Sequence, residues 1–424
     1  MHAELVWIKS IAFSTCLMGV AWGRYQIPYL VSLGLAPSRI GLLRAAGLLA
    51  KFFAMPMWGA WADVHAQSTF PCVVAVLAVA LLLEFYRSPA VVASFGCLLA
   101  LKMSRSAANG VGTLADVLTL RVMERHPGAG YGAQRLWTGV AWGCGSYVVG
   151  CLIDARGYGA IFSWTYVFSA ATLVLLARGP AFDRRADGGK PAADRASAPR
   201  GASDEKSARG RGRTAANLWA YARGLDRSSD LRPFLCLMGL YGVAMSLVEA
   251  LLFLQMAREF KSTKALMGAV TLVGTITEYP FFFKSDALIA QYGPVKMLKV
   301  AHACLAFRLV GYAAVSATTA PVALPALQLL HGPCFALAWT AAVQFAADAS
   351  TPSLRGTSQS VLSTAYYVVG AGVGSVFWSS IYEAGGSRPT YLLGAGLVAL
   401  SGATFLPRLK ARRADAPPAG SNAA

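Results

Sequence analysis

The sequence predicts an all-α integral membrane protein of twelve transmembrane helices arranged as two six-helix halves. Three observations carry this. Hydrophobic residues make up 56% of the 424-residue chain and charged residues only 14%, against about 25% charged in a soluble domain. The apolar runs are about 20 residues long, the length a helix needs to cross the hydrocarbon core, rather than the ~10 of a membrane strand. They fall into two sets of six, separated by a polar stretch at 178–230 that is rich in Arg, Ala, Gly, Ser, Asp and Pro.

In order, the first run extends from about Leu5 to Leu33. It is too long for the apolar region of a signal peptide and lacks a clear cleavage site, so it reads as the first span. Further spans are expected near 39–62, 69–86, 89–120, 131–153 and 158–177, then 231–256, 265–290, 295–317, 321–347, 356–382 and 388–406. Pro56 and Pro280 are expected to end the apolar bodies of spans two and eight. Residues 178–230 show no apolar period and read as a disordered cytoplasmic linker. Its end, Leu218-Trp219 to Leu225, is expected to form a short interfacial helix. The chain thus divides into an N-terminal half (1–177), the linker, a C-terminal half (231–406) and a disordered tail (407–424).

The net charge of +18 would suit a nucleic-acid partner, but its distribution argues against one. Lys and Arg are concentrated in the linker and on the side of both termini, which places these segments in the cytoplasm. The charge is a topology signal, with anionic lipid as its natural contact. The eight cysteines (16, 72, 97, 144, 151, 236, 304, 334) all fall in predicted spans and form no CxxC pair. Neither a disulfide framework nor a metal site is implied. There is no HExxH, GxSxG, Walker loop or dinucleotide fingerprint, so no enzyme is predicted. No cofactor is implied, nothing requires an oligomer, and the particular membrane is not encoded.

Ionisable residues inside the spans mark the function. Glu249, Glu278, Arg308 and His331 each sit within an apolar run of spanning length. At ~1.5 Å per residue the last three lie ~15–20 Å into their spans, near the middle of a hydrocarbon core about 30 Å thick. A charge there costs at least ~2.5–3.5 kcal/mol, so such residues face a bundle interior or a water-filled path. A buried structural ion pair is the plainer alternative. Glu278 and Arg308 lie at similar depth and are expected to be charge partners.

The first half is cationic. Span four carries Lys102, Arg105, Asn109, Gly112 and Asp116 at i, i+3, i+7, i+10 and i+14, one helix face. Span two carries Arg44 and Lys51, and span one Arg24. Snorkelling toward the interface suits Arg44, whereas Lys51 and Arg105 lie too deep. This half-cavity suggests an anionic group on a solute, or partners in Glu249 and Glu278. The halves also repeat weakly. Trp142-Gly143-Cys144-Gly145-Ser146 leading to Asp154 precedes Ala371-Gly372-Val373-Gly374-Ser375 leading to Glu383 by 229 residues.

Several motifs carry a family resemblance. Met55-Pro56-Met57-Trp58-Gly59-Ala60-Trp61-Ala62-Asp63 resembles the cytoplasmic signature of the major facilitator superfamily. That likeness implies close helix packing at Gly59 and a role for Asp63 at a neighbouring helix N-terminus. Val64-His65-Ala66-Gln67 replaces the usual basic residues. Gly132-Ala133-Gln134-Arg135-Leu136-Trp137 followed by Trp142 resembles the lactose-permease (oligosaccharide–proton symporter) family and the related MFS_1-like subgroup. There the Arg and the Trp seven residues later bind sugar, which implies solute contacts for Arg135 and Trp142. A cytoplasmic-end Arg beside a packing Trp is the alternative. Phe307-Arg308-Leu309-Val310-Gly311, Leu330-His331-Gly332 and Ile381-Tyr382-Glu383 extend the likeness over the second half. It implies acids of spans seven and eight at Glu249 and Glu278. Where the family carries a proton-binding Glu one turn after the histidine, this chain has Cys334, a poor proton carrier at neutral pH.

The sequence therefore predicts secondary active transport of a small polar organic solute (a sugar, nucleoside or organic anion) by alternating access. Arg135, Trp142, His331, Arg105 and Lys51 would bind it. Glu278, Arg308, Glu249, Asp116 and Asp63 would couple or gate, with a proton as the candidate coupling ion. The alternative is a transporter-like receptor that binds a solute or protein without moving it.

Overall fold

A computed structural model describes residues 3–65, 68–126, 131–179, 230–350 and 354–409. The linker, its expected interfacial helix at 218–225 and the tail beyond 409 lie outside the described residues. Among those described there are helices and no strands. In chain order they are α1 (Ala3–Ser32), α2 (Pro37–Val64), α3 (Phe70–Glu84), α4 (Phe95–Ala108 and Val111–Glu124), α5 (Tyr131–Arg156) and α6 (Gly159–Ala177). The second set is α7 (Leu231–Arg258), α8 (Lys264–Phe283), α9 (Pro294–Ala314), α10 (Ala320–Asp348), α11 (Thr357–Gly385) and α12 (Ser387–Phe405).

Eleven of these are long and apolar enough to cross a membrane, and the protein is a multi-pass membrane protein. The broken α4 takes the place of the expected fourth span. The break has a physical cause. The Trp58 ring of α2 lies so close to Gly110 that any Cβ there would collide with it, and the Trp58 indole N–H donates 2.7 Å to the Ala107 carbonyl. The indole thus satisfies a backbone acceptor at the end of the helix's first piece. As the expected span limits implied, α2 and α8 continue through Pro56 and Pro280, to Val64 and Phe283. One other sequence expectation changes: a Cβ at Gly59 would meet no atom within 4 Å, so the tight packing expected there is not present.

The halves meet along two pairs of helices, α5 on α8 and α2 on α11. Gly150 and Gly41 allow this approach: a Cβ at Gly150 would strike the Lys264 carbonyl, and one at Gly41 would strike Ser375 and Ser379. The Tyr25 hydroxyl of α1 donates to the carbonyls of Ser146 (2.5 Å) and Lys264 (3.1 Å), pinning the first pair.

At the face remote from the termini, each half caps a helix of the other. Asp154, near the end of α5, accepts backbone N–H groups of Lys264 (2.8 Å) and Ala265 (2.7 Å) at the start of α8. Glu383, near the end of α11, accepts from the Ser38 N–H (2.8 Å) at the start of α2. These acids hold equivalent places in the 229-residue repeat, and both offset the partial positive charge of a helix N-terminus.

Candidate functional site

Two adjoining cavities lie between the helices, of about 620 Å³ and about 460 Å³. Cys16, Gly23, Arg44, Thr138 and Trp142 line both. The larger is built on the first half and the smaller reaches the second.

The smaller cavity ends on a chain of polar contacts from α8, α9 and α10. Arg308 of α9 is fully buried, at 0% exposure. Its Nε donates 2.8 Å to the Tyr312 hydroxyl, one Nη lies 2.8 Å from His331 Nδ1, and the other donates to Gln328 Oε1. Gln328 Nε2 in turn donates 3.2 Å to Tyr312. His331 Nε2 lies 3.0 Å from Glu278 Oε1. A guanidinium has donors only, so His331 Nδ1 must accept, and the ring proton sits on Nε2 and points at the Glu278 carboxylate. Glu278 and Arg308 thus lie at one depth but are joined through His331, not directly as the sequence suggested. His331 occupies the space between them. Cys334 also lies against Arg308, and its carbonyl accepts 2.6 Å from Tyr241.

At the boundary between cavities, Arg44 of α2 pairs with Glu249 of α7 at 3.1 Å. Of the two readings the sequence left open for Arg44, snorkelling or a partner in Glu249, the structure shows the second. Arg44 turns inward because an acid from the other half offers a partner. Glu249 lies in a π-helical turn, Leu247–Leu251, and another, Pro333–Leu337, follows His331. Such turns often mark functional positions in membrane helices.

Trp142 lies under an arginine of α1. The guanidinium of Arg24 stands 5.0 Å from its ring and 5.2 Å from that of Phe253. The side chains of Arg135 and Asp63 lie outside the described residues. In the larger cavity Lys102, Arg105, Asn109, Gly112 and Asp116 share one wall with Lys51, so the predicted face survives the break in α4. Lys102 donates 2.6 Å to Gln26 Oε1, and the Arg105 guanidinium stands 5.2 Å from the Trp22 ring. The sequence reading missed Arg24 over Trp142, and it missed Gln26, Gln328 and Tyr312 as partners. Tyr312 alone carried a signal, one helical turn from Arg308.

A spanning helix bundle with charged side chains turned inward fits a known group. The MFS_1 like family matches residues 22–393. The chain belongs to that family. It is also 26% identical over 354 residues to the maltose permease of Geobacillus stearothermophilus, covering 81% of this chain and 77% of that protein. Among solved structures, the nucleoside transporter NupG aligns with a TM-score of 0.72 at 12% identity, over 96% of this chain and 99% of that one. The xylose transporter XylE from E. coli gives 0.62 at 12%, over 95% and 97%. The human organic anion transporter MFSD10 gives 0.58 at 16%, over 97% and 100%. The fold is that of the major facilitators, and the protein is a secondary transporter rather than an enzyme. Nothing in these relationships favours the receptor alternative.

Proposed function

We propose that the protein carries a small polar organic solute across the membrane by alternating exposure of the site between the halves 1–177 and 231–406. The observation that carries this is the inter-half cavity pair, walled by ionisable side chains from both halves and crossed by the Arg44–Glu249 bridge. In this reading Trp142, His331, Arg105, Lys51 and Arg135 hold the solute. Glu278 is the proton-binding group of the relay. His331 is committed as acceptor to Arg308 and as donor to Glu278, and Cys334 stands where relatives of the lactose permease carry a second acid. Arg44 and Glu249 gate the passage, with Asp116 and Asp63 as further gating acids. Both termini and the linker are cytoplasmic by their basic residues, and the coupling ion is a proton. The named relatives move maltose, nucleosides, xylose and organic anions, which sets the chemical range: sugar, nucleoside or organic anion. Counterflow in proteoliposomes tests the reading. A carrier exchanges labelled solute against unlabelled solute, whereas a receptor binds and does not exchange.

A further inference from the structure

The two cavities differ in charge. The larger is lined by Arg44, Lys51, Lys102 and Arg105 against the single carboxylate of Asp116. The smaller sets Arg24 and Arg44 against Glu249 and Glu278, and is balanced. The excess positive charge therefore lies wholly on the first-half side.

Those cations are also short of partners. Of the four, only Arg44 has a carboxylate within ion-pair distance among the described residues. Lys102 is held by the neutral amide of Gln26. Arg105 is 7% exposed; among the described residues its Nε is buried without a hydrogen-bond partner, and its guanidinium stands over the Trp22 face. A buried N–H left without a partner costs free energy unless something else completes it. The second half shows the contrast, since there Arg308 engages Tyr312, His331 and Gln328 at once.

Resting on the transport reading above, we infer that the solute carries an oxyanion, a phosphate or carboxylate, which docks in the first-half cavity on Arg105, Lys102 and Lys51. Its neutral, hydroxylated or ring portion then extends past Trp142 toward Glu278 and His331. A cleft of one sign with low-dielectric walls concentrates such an ion ~10- to 1000-fold. Arg44 lies on the border of both cavities, so the bound anion competes with Glu249 for it. Occupancy thereby weakens a contact between the halves.

The test uses the full-length chain carrying Ser106→Cys, a wall position of this cavity that faces Gly47. Thr113→Cys, also on the wall, is the second reporter if the first expresses poorly. Anionic sulfonatoethyl and cationic trimethylammonioethyl methanethiosulfonates are compared by site-resolved mass spectrometry. The anionic reagent should react at least tenfold faster, relative to free cysteine, and Lys51→Gln with Lys102→Gln should cut that preference at least threefold. In counterflow, glucose 6-phosphate and uridine monophosphate should exchange in preference to glucose and uridine. Equal or faster labelling by the cationic reagent overturns the anion site and leaves the transport reading standing. Neutral compounds exchanging as well as their phosphorylated partners overturn the substrate class. Anion-selective labelling with no exchange of any compound upholds the site and counts against transport instead.

Discussion

The carboxylate caps at the face remote from the termini should act as a latch between the halves. Asp154 accepts two backbone N–H groups and Glu383 one. Removing a capping side chain costs about 0.5–2 kcal/mol. Both carboxylates are solvent-exposed, so the lower part of that range applies. Together the two should favour contact between the halves at that face by about 1.5 kcal/mol, a ~10-fold population ratio. Asp154→Ala with Glu383→Ala should then raise amide exchange ~10-fold in the first turns of α2 and α8, read by hydrogen–deuterium exchange on the reconstituted protein. Asp154→Ala alone should have the larger effect because it frees two amides. The discriminating measurement is reciprocity. If the caps hold one gate, Asp154→Ala also speeds exchange at residues 37–43, which Asp154 does not touch. Faster exchange confined to the start of α8 would mean local fraying and would refute the latch.

Three further outcomes are expected. Glu278→Gln should preserve equilibrium counterflow and abolish gradient-driven uptake, because exchange needs no deprotonation and uphill movement does; loss of both would remove Glu278 from coupling. Arg308→Ala should lower the melting temperature, since it leaves buried acceptors on Gln328 and His331 without their donor, at about 1–3 kcal/mol each; an unchanged melting temperature would show that these contacts carry no stability. A double-mutant cycle on Arg44→Gln and Glu249→Gln should give a coupling of about 0.5–1 kcal/mol in thermal unfolding, the scale for a partly exposed pair; zero coupling would show that the bridge is incidental.

The helical framework was legible because the hydrocarbon core permits little besides apolar helices. The depth of each charged residue was legible for the same reason, as depth follows residue count. Rotation about the helix axis was not, and that is where the reading failed. Arg44 suited both an interfacial place and a partner in Glu249, and spacing could not choose between them, since that acid lies 205 residues away on another helix. Glu278 and Arg308 were placed at one depth, but the intervening imidazole could not be inferred from separate spans. The break in α4 was hidden because it depends on Trp58, a residue of α2. The Asp154 and Glu383 caps were recoverable in part, since both close a repeated glycine motif, but spacing alone does not say which backbone amides they meet.

The two halves divide the work by how completely their charges are satisfied. In the second half Arg308 is fully buried and engages three side chains. A solute anion cannot bind it without breaking those contacts, and the one group left to exchange a proton with the cavity is Glu278, at the open end of the relay. In the first half Arg105 and Lys51 show no acidic partner among the described residues, so a solute meets groups with hydrogen-bonding capacity to spare. Arg44 joins the two through Glu249, which sits in a π turn of α7. A π turn carries one residue more than a regular helical turn, and its loss or migration would rotate Glu249 relative to Arg44. A charge change in the first-half cavity can therefore reach α7 through one ion pair, with no longer path needed.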